Sequence, residues 1–135
     1  MGTRRKARIA AFQALYAWQE TQVDRKELIG FDWLDDKLDD ETLVFASLLT
    51  SGTLDRIDEV DGHIKTHLKK WSFERISRVD LAILRTGAYA LLFQKDIPAS
   101  VTIDEAVEIA KKFSSPESFR FVNGVLDGIR KADLS

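Results

Sequence analysis

The 135-residue sequence has no cysteine and only two prolines, Pro98 and Pro116. The absence of cysteine excludes disulfide bonds, cysteine-ligated metal sites and a thiol nucleophile, and it fits a cytoplasmic protein. No apolar run approaches the roughly 20 residues that span a bilayer, so we expect no membrane partner. With 44% hydrophobic and 31% charged residues, the composition is typical of a single globular domain over residues 1–135.

The sequence also lacks the motifs of common enzymes. It contains no phosphate loop, no GxSxG and no GxGxxG. His63 and His67 have the spacing of a metal pair, but the glutamate of HExxH is replaced by Ile64, and a surface pair is the better interpretation. The aspartates of the acidic segment 35–40 have no partner base. We therefore expect no enzymatic activity, no catalytic residue, no metal and no cofactor.

Charge is distributed unevenly along the chain. The net charge is −2, yet residues 1–8 contain four bases and no acid. Residues 20–41 contain nine acids and three bases. Four cations at the start of a helix oppose its macrodipole, which suggests a separate benefit such as phosphate binding. The alternative is a solvated, partly frayed terminus. The bases are Arg4, Arg5, Lys6 and Arg8.

Apolar residues recur at spacings of three and four, which predicts an all-α compact bundle of six to seven helices without a sheet. A capping box at Thr102 and Glu105 is expected to open the helix that ends near Phe113. Ser115 and Pro116 are expected to start the last helix. Gly52 and Gly62 are expected to divide or bend a long helical stretch. The predicted segments are 4–22, a short element at 26–34, 40–68, 77–93, a helix up to 113 and a last helix that includes 119–129.

The last helix carries a candidate aromatic and cationic surface. Phe121 and Arg120 lie about 120° and 140° from the centre of its apolar side, near the cations of the preceding helix. Exposed aromatic rings beside cations are typical of single-stranded RNA binding. Packing of Phe121 against another helix is an equal alternative. For Asn123 and Gly124 we favour a structural role, close helix packing and a backbone hydrogen bond, over contact of Asn123 with a base.

Several segments together resemble one family. They are Arg4-Arg5-Lys6-Ala7-Arg8 with Gln13-Ala14-Leu15-Tyr16, Val79-Asp80-x-x-Ile83-Leu84-Arg85, Asp96-Ile97-Pro98, Glu105-Ala106-Val107-Glu108-x-Ala110-Lys111-Lys112-Phe113, and Phe121-Val122-Asn123-Gly124-Val125-Leu126-Asp127. In this order and spacing they are similar to the NusB transcription antitermination factors. The resemblance covers nearly the whole chain, and residues 23–75 carry least of it.

The resemblance implies two small subdomains, approximately residues 1–75 and 76–135. It also implies binding of the boxA element of nascent ribosomal RNA jointly with the ribosomal protein NusE. This pair would join other Nus factors on RNA polymerase, suppress termination and assist ribosome maturation. Asp80 would face NusE and RNA. The residues implied for RNA binding are Arg4, Arg5, Lys6, Arg8, Tyr16, Lys112, Glu117, Arg120 and Phe121.

The chain departs from the family pattern at three positions: Asp104 in place of the common asparagine, Ser114 in place of the usual glycine, and Pro116. Two other functions are compatible with the sequence. One is a structural adaptor or homodimer that does not bind RNA, since some family members dimerise. The other is a detached RNA-recognition domain of a ribosomal RNA methyltransferase. The basic N-terminal segment argues against the adaptor.

Overall fold

The computed structural model describes residues 2–69 and 72–134, and this part of the chain forms seven α-helices without a β-strand. The predicted all-α bundle is therefore confirmed. No helix among the described residues is long and apolar enough to cross a membrane. The helices are α1 (Thr3–Thr21), α2 (Arg25–Gly30), α3 (Asp40–Asp55), α4 (Ile57–Thr66), α5 (Arg78–Phe93), α6 (Ala99–Phe113) and α7 (Ser118–Asp133), with a 3-10 turn at Phe73–Arg75.

Helix α5 lies at the centre of the bundle. Eleven of its sixteen residues are buried, and α1, α3, α4, α6 and α7 all pack against it. A helix enclosed in this way needs small residues where its neighbours approach. At Gly87, an added Cβ would lie 3.0 Å from Leu126 Cδ1, so glycine allows α7 to pack closely there. The division into subdomains 1–75 and 76–135 stays a prediction.

One partly buried ion pair connects three helices. Arg85, on α5, donates two hydrogen bonds to the carboxylate of Asp61, on α4, over 2.9 and 2.8 Å. Its third donor reaches Gln19 Oε1, on α1, over 3.0 Å, and Gln19 in turn donates to the carbonyl of Arg78. This bidentate geometry compensates the guanidinium for the water that it loses on burial.

Two predicted helix starts were wrong. Helix α6 begins at Ala99, directly after Pro98, which places Thr102 inside the helix and leaves no capping box. Helix α7 begins at Ser118, and Ser115 and Pro116 lie in the turn before it. Elsewhere side chains do cap helices: Asp39 accepts from Thr42 N at α3, and Ser77 accepts from Asp80 N at α5.

The long stretch over 40–68 is divided at Arg56 and not at its glycines. Gly52 lies inside α3, where Tyr89 packs directly on it. A side chain does not fit there, because an added Cβ would lie 2.1 Å from Tyr89 Oη. Gly62 lies inside α4 with nothing within 4 Å of an added Cβ. Lys70 and Trp71, between the predicted segments 40–68 and 77–93, lie outside the described residues.

We predict that Asp61→Ala destabilises the fold by about 3 kcal/mol, because it leaves the charge of Arg85 buried without its partner. Urea unfolding measures this loss. Asp104→Ala removes an exposed aspartate from another helix and serves as the matched control, with an expected loss within about 0.5 kcal/mol. Equal losses in the two variants would show that the ion pair has no special part in stability.

Candidate nucleic-acid interface

The four cations at the start of α1 point in different directions. Arg5 makes a bidentate ion pair with Glu105, on α6, with nitrogen–oxygen distances of 2.9 and 3.1 Å. The guanidinium carbon of Arg4 lies 4.2 Å from the ring centre of Phe45, on α3, and that of Arg8 lies 5.5 Å from it. Arg4 and Arg8 therefore share one aromatic ring while Arg5 contacts α6.

Arg8 and Arg5 differ in their exposure. Arg8 is partly buried, and this burial lowers the pKa of its guanidinium. It lines a small cavity of about 20 Å³ together with residues of α3, α5 and α6. Arg5 remains 45% exposed although it is paired. Arg5 can therefore reach a phosphate from its present position, whereas Arg8 would first have to leave the core.

The exposed side of α1 continues from Arg5 through Ile9 to Tyr16. These three residues lie within about 40° of one another around the helix axis. Tyr16 is 39% exposed. One surface cavity of about 280 Å³ is lined by Arg5, Ile9, Glu108, Ile109, Lys111 and Lys112. The end of α6 thus adds two lysines and one glutamate to this side of α1.

The predicted aromatic and cationic cluster exists, but it is centred on Phe119. Lys111 Nζ lies 5.0 Å and the guanidinium carbon of Arg120 5.5 Å from the ring centre of Phe119. Of the two alternatives for Phe121, an exposed ring beside Arg120 or packing against another helix, the structure favours packing. Phe121 is partly buried against the core. Lys112 lies over Phe113, whose ring contacts Phe12, on α1.

Phe121 instead forms part of an open groove of about 620 Å³ between the start of α5 and the turn that joins α6 and α7. Asp80 and Glu117, two of the predicted site residues, lie in the same groove. The remaining lining residues are Arg75, Ile76, Ser77, Val79, Phe113, Ser114, Ser115 and Ser118. The site residues predicted at the ends of α5 and α6–α7 are thus brought together.

A row of serine hydroxyls holds Asp80 in place. Ser114 Oγ lies 2.7 Å from Asp80 Oδ1 and 2.9 Å from Ser118 Oγ, which lies 2.7 Å from Ser115 Oγ. Because each hydroxyl has one proton, the donors run from Ser115 through Ser118 and Ser114 to the carboxylate. Ser114 therefore fixes Asp80, which is only 7% exposed.

Gly124, on α7, has nothing within 4 Å of an added Cβ, and Asn123 is exposed. The expected close helix packing at Gly124 was therefore wrong.

The two histidines of α4 and its end interact with each other: His67 Nδ1 lies 3.0 Å from the carbonyl oxygen of His63. The described residues contain no group of three or more histidine, aspartate or glutamate side chains that could hold a metal ion.

Sequence reasoning missed two residues that position the cations. Phe45, which contacts Arg4 and Arg8, lies in the segment with the weakest family resemblance. Glu105 was assigned to a capping box, and its pairing with Arg5 depends on how α1 and α6 pack. No pattern in the sequence connects residues 100 positions apart.

Comparisons with known proteins show the family of this chain. The model of the NusB family matches residues 5–131. The transcription antitermination protein NusB of Treponema pallidum strain Nichols is 51% identical over 131 residues, which cover 96% of this chain and 93% of that protein. The chain belongs to the NusB family of transcription antitermination factors. A NusB relative from Treponema denticola is 41% identical, covering 94% of this chain and 95% of its own.

Solved NusB structures have the same fold. T. maritima NusB superimposes with a TM-score of 0.85 at 41% identity, covering 95% of this chain and 90% of that one. A structure described as antitermination factors NusB and NusE in complex with dsRNA gives a TM-score of 0.82 at 30% identity, with 98% of both chains covered. These NusB relatives support antitermination over the adaptor and methyltransferase alternatives.

The Arg5–Glu105 pair should make the stability of this NusB-family chain depend on pH. The hydrogen bond from Arg5 lowers the pKa of Glu105 below its ordinary 4.5, against the opposing effect of burial. A lowered pKa in the folded state means that the pair stabilises the fold above about pH 4.5 and that this contribution is lost as pH falls through the folded pKa.

We expect carboxyl NMR titration to give a pKa below 4.5 for Glu105. Arg5→Ala should raise this pKa, because burial, which raises it, is then no longer opposed by the hydrogen bond from Arg5. Asp39, whose pKa is lowered mainly by the backbone N–H of Thr42, is the internal control and should not move. An unchanged pKa of Glu105 in the Arg5 variant would contradict the pairing.

Proposed function

We propose that this chain is a transcription antitermination factor that binds single-stranded boxA RNA of nascent ribosomal RNA jointly with NusE. In this role it supports transcription of ribosomal RNA and ribosome maturation, in the cytoplasm, together with other Nus factors and RNA polymerase. The mechanism contains no covalent step. The observation that carries the proposal is that Arg5 on α1 lines one cavity with Lys112, while the next residue, Phe113, lines the groove at Phe121. Tyr16 lies on the same side of α1 as Arg5. We call these residues together the α1–α7 face.

Phosphate contacts supply the affinity in this mechanism. Arg5, Lys112 and Arg120 are exposed cations on or beside the α1–α7 face. Arg5 must exchange the carboxylate of Glu105 for a phosphate, so Glu105 holds the guanidinium in an extended position until RNA arrives. Lys6 is also exposed and adds to the positive potential, whereas Arg4 and Arg8 act through Phe45 and hold the start of α1 on α3.

Aromatic rings provide contacts with unpaired bases. Tyr16 is exposed enough for a base to stack on its ring. Phe121 presents part of its ring to the groove, where Asp80 and Glu117 offer carboxylate oxygens. Carboxylates repel phosphate but accept hydrogen bonds from base amino groups, so a base, and not the backbone, suits the groove. Single strands are required because stacking needs bases that are not paired.

Joint binding with NusE follows from the small size of the cationic surface. Three or four phosphate contacts give an affinity that depends strongly on salt. A partner protein that adds contacts to the same RNA raises the affinity of both, and this coupling is reciprocal. We place NusE beside Asp80 at the start of α5, where the Ser114–Asp80 hydrogen bond keeps the surface rigid.

We predict that Arg5→Ala weakens binding of a short single-stranded boxA RNA and lowers the slope of log affinity against log salt by about 0.7, the value for one lost phosphate contact on a single strand. Lys37→Ala removes an exposed cation from the acidic segment and is the matched control. Fluorescence anisotropy at several salt concentrations, with and without NusE, gives both quantities. The same slope for Arg5→Ala and the unchanged protein would contradict a phosphate contact.

A second prediction tests stacking on α1. Tyr16→Ala should weaken binding of the RNA by about 1–3 kcal/mol, whereas Tyr16→Phe keeps the ring and should stay close to the unchanged protein. The affinity of each variant is measured by anisotropy with urea unfolding as a check on folding. A loss in both variants would assign the contribution to the hydroxyl group, and a loss in neither would remove Tyr16 from the interface.

A further inference from the structure

A second groove lies on the side of α3, away from the turn that joins α6 and α7. Its volume is about 600 Å³, and its apolar part consists of Val44, Phe45 and Leu48 on α3 and Ile97 in the turn between α5 and α6. Val44 is 58% and Leu48 63% exposed, although both side chains are large and apolar. Their separation of four residues puts them side by side on one helix face.

The edge of this α3 groove is acidic. Asp40 and Glu41, in the first turn of α3, and Asp96, in the α5–α6 turn, line it together with the apolar residues. Its one arginine, Arg4, has its guanidinium over the ring of Phe45. The groove also adjoins the acidic segment 20–41, so its surroundings are negative. Nucleic acids and anionic lipids are therefore repelled.

The complementary occupant is an amphipathic helix with a cationic polar side. Two neighbouring aliphatic side chains in an open groove offer the kind of anchor that helix-in-groove recognition uses. Lysine and arginine on the same helix would meet Asp40, Glu41 and Asp96. A second copy of this chain placed groove to groove would bring equal sets of carboxylates together, which disfavours a symmetric dimer here.

The α3 groove and the Asp80 groove of the α1–α7 face are far enough apart to be occupied at the same time. Asp80 lies in the first turn of α5, and Gln94, which lines the α3 groove, follows its last residue. Fourteen residues of helix separate the two by about 21 Å. A ligand at the Asp80 groove therefore leaves Val44 and Leu48 accessible.

We propose that the α3 groove binds a lysine- and arginine-rich amphipathic helix of another protein, at the same time as the α1–α7 face is occupied. The chain would then connect its RNA-bound assembly to a further protein. The binding of the helix does not depend on the proposed RNA binding, because it uses a different surface.

The test uses a synthetic leucine–lysine peptide about 18 residues long, or five turns, with one apolar side. Its binding to the full chain is followed by anisotropy. Leu48→Lys should weaken binding about tenfold, because it places a cation among apolar and cationic groups of the peptide. Leu134→Lys is the matched control, since it introduces the same charge at an 81% exposed leucine outside the groove, and its effect should be within about twofold.

The charges are tested separately with the double variant Asp40→Asn and Glu41→Gln. It should bind the peptide several-fold more weakly and with a smaller salt dependence, while a scrambled peptide of the same composition should bind weakly to all variants. If Leu48→Lys and Leu134→Lys lost peptide affinity equally, the loss would be due to overall charge, and the proposal would be overturned. A homodimer in sedimentation that Leu48→Lys dissociates would overturn it too, by assigning the groove to a second copy.

Anisotropy with boxA RNA distinguishes this proposal from the antitermination function. Leu48→Lys and Leu134→Lys should bind RNA equally, because neither residue lies on the α1–α7 face. Loss of peptide binding with intact RNA binding supports the α3 groove as a separate site. Loss of RNA binding in Leu48→Lys alone would contradict that separation.

Discussion

The enclosure of α5 by five other helices is the constraint on which the rest of the structure depends. A helix buried on nearly all sides can carry few charges, and α5 pairs the ones that it buries: Arg85 with Asp61, and Asp80 with Ser114. Its Gly87 lets α7 approach closely. Each end of α5 lies beside a groove, so the position of α5 in the core determines where the two grooves lie.

The path of α1 across α5 determines which of its residues are available for binding. Gln19, near the end of α1, hydrogen bonds to Arg85 and to the carbonyl of Arg78, which fixes the rotation of α1 about its axis. This rotation turns Arg5 and Tyr16 outward and directs Arg8 toward α3. In the proposed function Arg5 contacts RNA, whereas Arg4 and Arg8 contact Phe45 on α3.

The sequence predicted the helices well and the directions of side chains less well. Apolar spacing located α5 within one residue of its start, because periodicity directly reflects burial. The capping box at Thr102 was wrong because α6 already begins at Ala99, directly after Pro98, which places Thr102 inside the helix. The neighbours of Arg4, Arg8 and Phe121 depend on helices distant in sequence, and no local pattern encodes such packing.

An NMR titration of the isotope-labelled chain with single-stranded boxA RNA, in the presence of NusE, locates the RNA-binding surface directly. We expect the largest amide shifts at the outward side of α1 around Arg5 and Tyr16, at the end of α6 and at the start of α7. The amides of Val44 and Leu48 should stay unchanged. Shifts centred on α3, or none on α1, would contradict the assignment of the RNA-binding surface.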